Sequence, residues 1–175
     1  MIAKNPEAQA RLARVEKFRK EEIFDFYKNI VSEISRLIPN GSISIEVYAD
    51  QTTTAEDMFR QGQEMFGWIP NAHIKYPITR AGFEAAERSI ANGIRVNLTL
   101  CFSQEQAAAV YAATKGAKKG DVFVSPFVGR LDDRGEDGMS LIKNINEMFQ
   151  SGDGHAEVLT ASVRTYQHFL YALQL

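Results

Sequence analysis

Apolar residues at Ile23, Tyr27, Ile30, Ile34 and Leu37 recur in steps of three and four, with Lys and Arg between them. That spacing predicts one amphipathic helix from Pro6 to Ile38, with Pro6 in its first turn and Pro39-Asn40-Gly41 as its stop. Strict alternation follows in Ile43-Ser44-Ile45-Glu46-Val47-Tyr48, the mark of a strand. The two periods then take turns. Thr54-Ala55-Glu56-Asp57 predicts a capping box, with Asp in place of Glu, for a helix through Phe66 and a turn at Gly67; His73 to Pro77 is the second strand. Thr79 opens a helix ending at Asn92-Gly93, and Ile94 to Phe102 is the third strand. Ser103-Gln104-Glu105-Gln106 caps an Ala-rich helix that runs to Gly116, and Asp121 to Val128 is the fourth strand. Leu141, Ile145, Met148 and Phe149 mark a further helix, Ala156 to Ser162 a fifth strand, and Val163 to Leu175 a last helix.

Helices alternating with strands, without hairpin signals or a Pro/Gly/Ser-rich linker, predict parallel strands joined by helical crossovers in one domain over residues 1–175. Ile43, Ile45 and Val47, like Val96, Leu98 and Leu100, form apolar faces that would pack on helices. The opposite faces carry Glu46, Lys75, Asn97, Thr99 and Ser125, which is too polar for a second helical layer. A barrel interior with a site at the C-terminal ends of the strands accommodates them, so the fold class is α/β of the (β/α)8, TIM-barrel type. Five strands cannot close such a barrel, whose chains run to ~250 residues with ~200 as the lower limit. The expectation is therefore an incomplete barrel, either a fragment or one whose strands are completed by another chain.

The 175 residues are 45% hydrophobic and 24% charged, enough to build a real core. Twenty Lys and Arg against 22 Asp and Glu leave a net charge of -2, which gives no broad basic field for nucleic acid or an anionic membrane. Apolar runs are far shorter than the ~20 residues of a membrane span. Cys101 is the single cysteine, which rules out a disulfide within the chain, and it reads as core. With no signal-peptide pattern at the N-terminus, a reducing, cytoplasmic compartment is expected.

Lys75 is the most informative polar residue because it lies within Ile74-Lys75-Tyr76-Pro77 rather than at a frayed strand end. Partial desolvation would make it an amine nucleophile for Schiff-base chemistry; alternatively it snorkels to the rim or pairs with Glu46. Glu46 stands at the matching point of the preceding strand, as a holder of a water for proton transfer or as that charge partner. Asn97 and Thr99 share a face and offer hydrogen bonds to a polyol, while their match to a glycosylation sequon reads as accidental. Val124-Ser125-Pro126-Phe127-Val128-Gly129-Arg130 supplies a hydroxyl, a glycine turn and a guanidinium at a strand end, and Arg164 follows the last strand. Two such arginines suit an anion site, although either alone suits an exposed surface; Asp132 and Asp133 either hold Arg130 or solvate the loop. His73, His155 and His168 lack metal-ligand spacing and are assigned packing or surface roles. No P-loop, G-x-G-x-x-G or G-x-S-x-G occurs.

In this order the segments Ile43-Ser44-Ile45-Glu46-Val47, Ile74-Lys75-Tyr76-Pro77-Ile78-Thr79, Gly93 to Ser103 and Val124 to Arg130 resemble the transaldolase family of Schiff-base barrels, over nearly the whole chain. The resemblance implies strands three to seven of that barrel, with Lys75 as the imine-forming lysine and Glu46 and Thr99 holding the catalytic water. It implies Asn97 on the dihydroxyacetone hydroxyls and Ser125, Arg130 and Arg164 on a sugar phosphate. The implied reaction, of the pentose phosphate pathway, moves a dihydroxyacetone unit from sedoheptulose 7-phosphate or fructose 6-phosphate to an aldose phosphate, without metal or organic cofactor. Glu46 and Phe127 stand where fructose 6-phosphate aldolases tend to carry Gln and Tyr, which favours the transferase branch. The family's strand-one aspartate, which takes the hydroxyl proton during cleavage, and its strand-two Thr-Asn-Pro have no counterpart here. Three readings follow: a transaldolase, partial or completed by association with another copy; a non-catalytic relative that binds sugar phosphates or assembles with a barrel partner; or a defective product that barely folds.

Overall fold

The computed structural model describes residues 5–14 and 18–175. Five parallel strands, β1 (Ile43–Glu46), β2 (Ala72–Pro77), β3 (Val96–Cys101), β4 (Val122–Pro126) and β5 (Ala156–Val158), form one sheet in the order of the sequence. Each parallel neighbour needs a crossover long enough to return the chain to the same edge, and a helix supplies it each time. The crossovers are α3 (Ala55–Phe66), α4 (Arg80–Ala91), α5 (Gln104–Ala113) and α7 (Gly138–Gln150), while α1 (Pro6–Ala13) and α2 (Lys20–Leu37) precede β1. A short α6 (Val128–Asp132) follows β4, and α8 (Tyr166–Ala172) follows β5. A strand order with no reversal is that of a barrel wall rather than of a doubly wound sheet, as the polar inner faces imply.

The apolar faces of the strands meet the helices. Ile45, Ile74, Tyr76, Val96, Leu98, Val122 and Val124 pack with Met58, Met65, Ala85, Val110 and Ile145 in one buried cluster. Each such aliphatic side chain contributes about 1.5–3 kcal/mol on leaving water. Tyr76 brings a hydroxyl into this layer, where it bonds Ser89 Oγ at 2.9 Å, and Ser89 in turn donates to Ala85 O at 2.8 Å. Burial pushes the Tyr76 phenol up to about 12. Gly62 on α3 lets that ring pass, for a Cβ there would lie 1.9 Å from the Tyr76 hydroxyl.

The caps follow the sequence closely. Thr54 Oγ1 accepts from Asp57 N, with Asp57 reaching back to Thr54 N, and Thr79 caps α4 through Gly82 N. At α5 Ser103 accepts from Gln106 N, but Gln106 Oε1 accepts from Phe102 N at 2.7 Å, one residue outside the box.

The departures have local causes. Instead of one helix from Pro6 to Ile38 there are α1 and α2, with residues 15–17 outside the described region. The buried stripe of α2 runs through Phe24, Tyr27, Val31 and Ile34, where Phe24 and Tyr27 meet Trp68 edge-on; Ile23 and Leu37 are exposed. Leu100 leaves the apolar face of β3: a bulge between Thr99 and Cys101 gives it a φ of 62° and exposes it, and Cys101 takes the buried place. Val128 opens α6 rather than ending β4, and α8 starts at Tyr166 because Thr165, not Val163, is its N-cap. Among the described residues no helix is long and apolar enough to cross a membrane.

Candidate active site

Period-two alternation and parallel register together place Ser44 and Glu46 of β1, His73 and Lys75 of β2, Asn97 and Thr99 of β3 and Ser125 of β4 on the sheet face opposite the helices. Glu46 pairs with Lys75 in register, Lys75 with Asn97, and Thr99 with Ser125. The five residues read from the sequence as this face are thus brought together.

Lys75 is 21% exposed and its Nζ lies 3.3 Å from Glu46 Oε2, so the charge pairing left open by the sequence is present. The ammonium also lies 6.0 Å from the centre of the Phe127 ring. Glu46 is held through its backbone, whose N–H donates to the Tyr27 hydroxyl at 2.9 Å. Its carboxylate is half exposed and open to solvent as well as to Lys75.

Deeper on the face, Asn97, Thr99 and Ser125 are almost completely buried. Ser125 Oγ donates to Asn97 Oδ1 at 2.8 Å, and Asn97 Nδ2 donates to Ser44 Oγ at 2.8 Å. Ser44 is a member of this network that sequence reasoning passed over; its alternation with Glu46 on the same strand was the available signal. Among the described residues Thr99 Oγ1 is buried without a hydrogen-bond partner, as is His73 Nδ1. An unsatisfied buried hydroxyl costs about 1–3 kcal/mol, which makes Thr99 a natural seat for a water or a ligand oxygen.

The two arginines lie beyond the strand ends. Arg130 is exposed on α6 and has no ion pair among the described residues. Arg164 is bound to Asp133 through Nη2 at 2.9 Å. Asp132 and Asp133 therefore do not restrain Arg130: Asp133 takes Arg164, and Asp132 pairs with His168 Nε2 at 3.1 Å while accepting from Gly138 N. The loops carrying the arginines are stitched together, with Val128 N donating to Ala161 O and Gly129 N to Ser162 O. Ser125 serves the Asn97 network within the face.

The histidines are packed. His155 lies between Asp153 and Thr114, with Nε2 3.1 Å from Thr114 Oγ1, and His168 lies against Asp132. His73 stacks on Phe123 at 4.5 Å, yet it stands on the same face as Lys75, two residues away, which its assignment to a packing or surface role overlooked. Cys101 is fully buried, and burial pushes its thiol up to about 11. Among the described residues no three His, Cys, Asp or Glu side chains gather as a metal would require.

The profile of the Transaldolase/Fructose-6-phosphate aldolase family matches residues 1–174. A probable transaldolase of Dehalococcoides mccartyi is 41% identical over 155 residues, which cover 89% of this chain and 67% of that protein. Probable transaldolases of a Caulobacter species and of Herpetosiphon aurantiacus are 42% and 40% identical over 139 and 144 residues, or 79% and 82% of this chain and 59% and 61% of theirs. The chain spans about three fifths to two thirds of the length of these curated relatives.

Proposed function

The chain belongs to the transaldolase/fructose-6-phosphate aldolase family, and on that basis we propose that it carries the imine-forming part of a transaldolase site. The observation that supports this best is Lys75 beside Glu46, on a face where the Thr99 hydroxyl is buried without a partner among the described residues. The Lys75 amine, having lost a proton, adds to the carbonyl carbon of a ketose phosphate. The resulting carbinolamine loses its oxygen as water, with the proton delivered through a water held between Glu46 and Thr99, and an iminium remains. Breaking the next carbon–carbon bond would send its electrons into the iminium to give an enamine and release the aldose phosphate, and it needs a base, for which residues 1–175 offer no candidate, to take the proton of the adjacent hydroxyl. Attack of the enamine carbon on an acceptor aldehyde, whose oxygen gains a proton, and hydrolysis of the new iminium complete the transfer.

Asn97 is the group for the dihydroxyacetone hydroxyls. Arg130, with Ser125 and Arg164 in support, is the group for the phosphate, because of the two arginines at the strand ends it is the one that carries no ion pair among the described residues. The substrates are fructose 6-phosphate or sedoheptulose 7-phosphate with an aldose phosphate acceptor, in the pentose phosphate pathway of a cytoplasm. Residues 1–175 offer no counterpart of the strand-one aspartate that serves as the base in the family, so imine formation is the step this chain's own residues support. The test is borohydride trapping with fructose 6-phosphate, followed by peptide mass spectrometry. An adduct on Lys75 that disappears in Lys75→Ala is expected, whereas folded protein without an adduct overturns the reading.

The alternative, a subunit that binds or assembles without turnover, is supported by α8 and the residue after it, which expose Tyr166, Phe169, Leu170 and Leu173. A stable oligomer that forms no adduct would favour it.

A further inference from the structure

We propose that His73 sets the polarity of the hydrogen-bond chain that orients Asn97, and so acts as a positioning residue for the sugar site. This rests on the site proposed above. His73 Nε2 is 2.8 Å from Gly120 O. A backbone carbonyl can only accept, so Nε2 carries the proton and Nδ1 is left as a lone-pair acceptor. That atom is buried and has no hydrogen-bond partner among the described residues. Its neighbour in the β1–β2 register is Ser44, on the same face.

Ser44 is the member of the network with a proton to spare. Its oxygen accepts from Asn97 Nδ2, and its own O–H donates to nothing else among the described residues. A rotation of Ser44, or one intervening water, lets that O–H reach His73 Nδ1. The sequence of donors then runs one way: Ser125 O–H to Asn97 Oδ1, Asn97 N–H to Ser44 Oγ, Ser44 O–H to His73 Nδ1, and His73 Nε2–H to Gly120 O.

The one-sided carbonyl at its end fixes every link above it. An Asn side chain is nearly symmetric in shape, and serine hydroxyls on either side would accept it in both orientations. With His73 in place, only the orientation with Oδ1 toward Ser125 satisfies the chain. Asn97 then keeps its second N–H, a donor, suited to a ketose oxygen. An apolar residue at position 73 would release the polarity and let Asn97 turn its carbonyl to the ligand instead. Stacking on Phe123 holds the ring in the plane this requires.

The experiment is nitrogen-15 NMR of the full chain labelled in His and Asn, combined with trapping of fructose 6-phosphate. The His73 ring should be the Nε2-protonated tautomer, and Ser44→Ala should shift its Nδ1 resonance toward that of a free acceptor. His73→Leu should move the Asn97 amide resonances and raise the half-saturating fructose 6-phosphate for trapping by about fivefold to tenfold, with little change in the plateau rate. His73→Asn, which keeps an acceptor near the place of Nδ1, should return the value to within about twofold. A protonated Nδ1, a Ser44→Ala protein with an unmoved Nδ1 resonance, or equal losses in both His73 variants would overturn the proposal. If wild-type protein traps no sugar, the resonances still decide the hydrogen-bond chain, so failure of the catalytic reading and failure of this one remain distinguishable.

Discussion

Gly129 and Arg164 are in contact so close that a Cβ on the glycine would lie 2.3 Å from Arg164 Cγ and 2.4 Å from the Ser162 carbonyl oxygen. The β4 and β5 ends are thereby locked, with the Arg164 stem laid across α6 and its guanidinium on Asp133. Gly129→Ala should displace Arg164, cost about 1–3 kcal/mol in urea unfolding, and weaken trapping of fructose 6-phosphate more than that of dihydroxyacetone. An unchanged ratio between the two sugars would separate this lock from phosphate binding.

Arg130 and Arg164 differ in what they have free. Since Arg164 is engaged by Asp133 and Arg130 by no carboxylate among the described residues, Arg130→Ala should raise the half-saturating fructose 6-phosphate by about tenfold or more. Dihydroxyacetone, which has no phosphate, should be trapped as before. Equal losses for the two sugars would show that Arg130 acts on folding and not on the phosphate.

Stability in the helical layer hinges on Tyr76. Gly62→Ala puts a methyl 1.9 Å from the Tyr76 hydroxyl and 3.1 Å from Ile74 Cγ2, and should destabilise by about 1–3 kcal/mol. Tyr76→Phe alone loses about 1 kcal/mol with its bond to Ser89, which keeps its bond to Ala85 O. Combined, the two should cost less than their sum, because the phenyl ring no longer carries the oxygen that the methyl meets. A double-mutant cycle by urea unfolding measures the difference.

Acid should find His73 early. Burial lowers its pKa from the ordinary 6.5, assisted by Arg95 and opposed by the Gly120 carbonyl, Asp121 and Glu157; Lys75 and Glu46 stand on the same face. Below about 6.5 the unfolded chain therefore binds the proton more readily than the folded one, and stability falls as pH falls. Melting scans from pH 7.5 to pH 5 should show a slope that His73→Leu flattens.

What depended on neighbours in sequence was readable in advance. Thr54 with Asp57, Thr79, and the alternation that sets Glu46, Lys75, Asn97, Thr99 and Ser125 on one face all act within a few residues. The Leu100 bulge broke the period-two rule because its cause, the offset pairing of Cys101 with Pro126, is a relation to another strand. Neither reading open for Asp133, a hold on Arg130 or a solvated loop, includes Arg164, because that arginine is 31 residues away in sequence. A packing or surface role is all the sequence offers for His73, because its carbonyl partner, Gly120, lies 47 residues downstream. Composition shows that a polar atom exists; only the fold shows which atom is left without a partner.

Because the sheet adds its strands in the order in which they are encoded, folding here has the character of a zipper. Paired residues are separated by no more than 22 positions for Ile74 and Val96 and 34 for Val122 and Ala156. Each closing loop therefore bears a similar and modest entropic cost, which rises only slowly with length. A ribosome releasing β1 before β2 and β2 before β3 presents every strand to an edge already formed. The Lys75 side of the proposed site is laid down by the first two strands, and the Arg164 side only when the last loop docks.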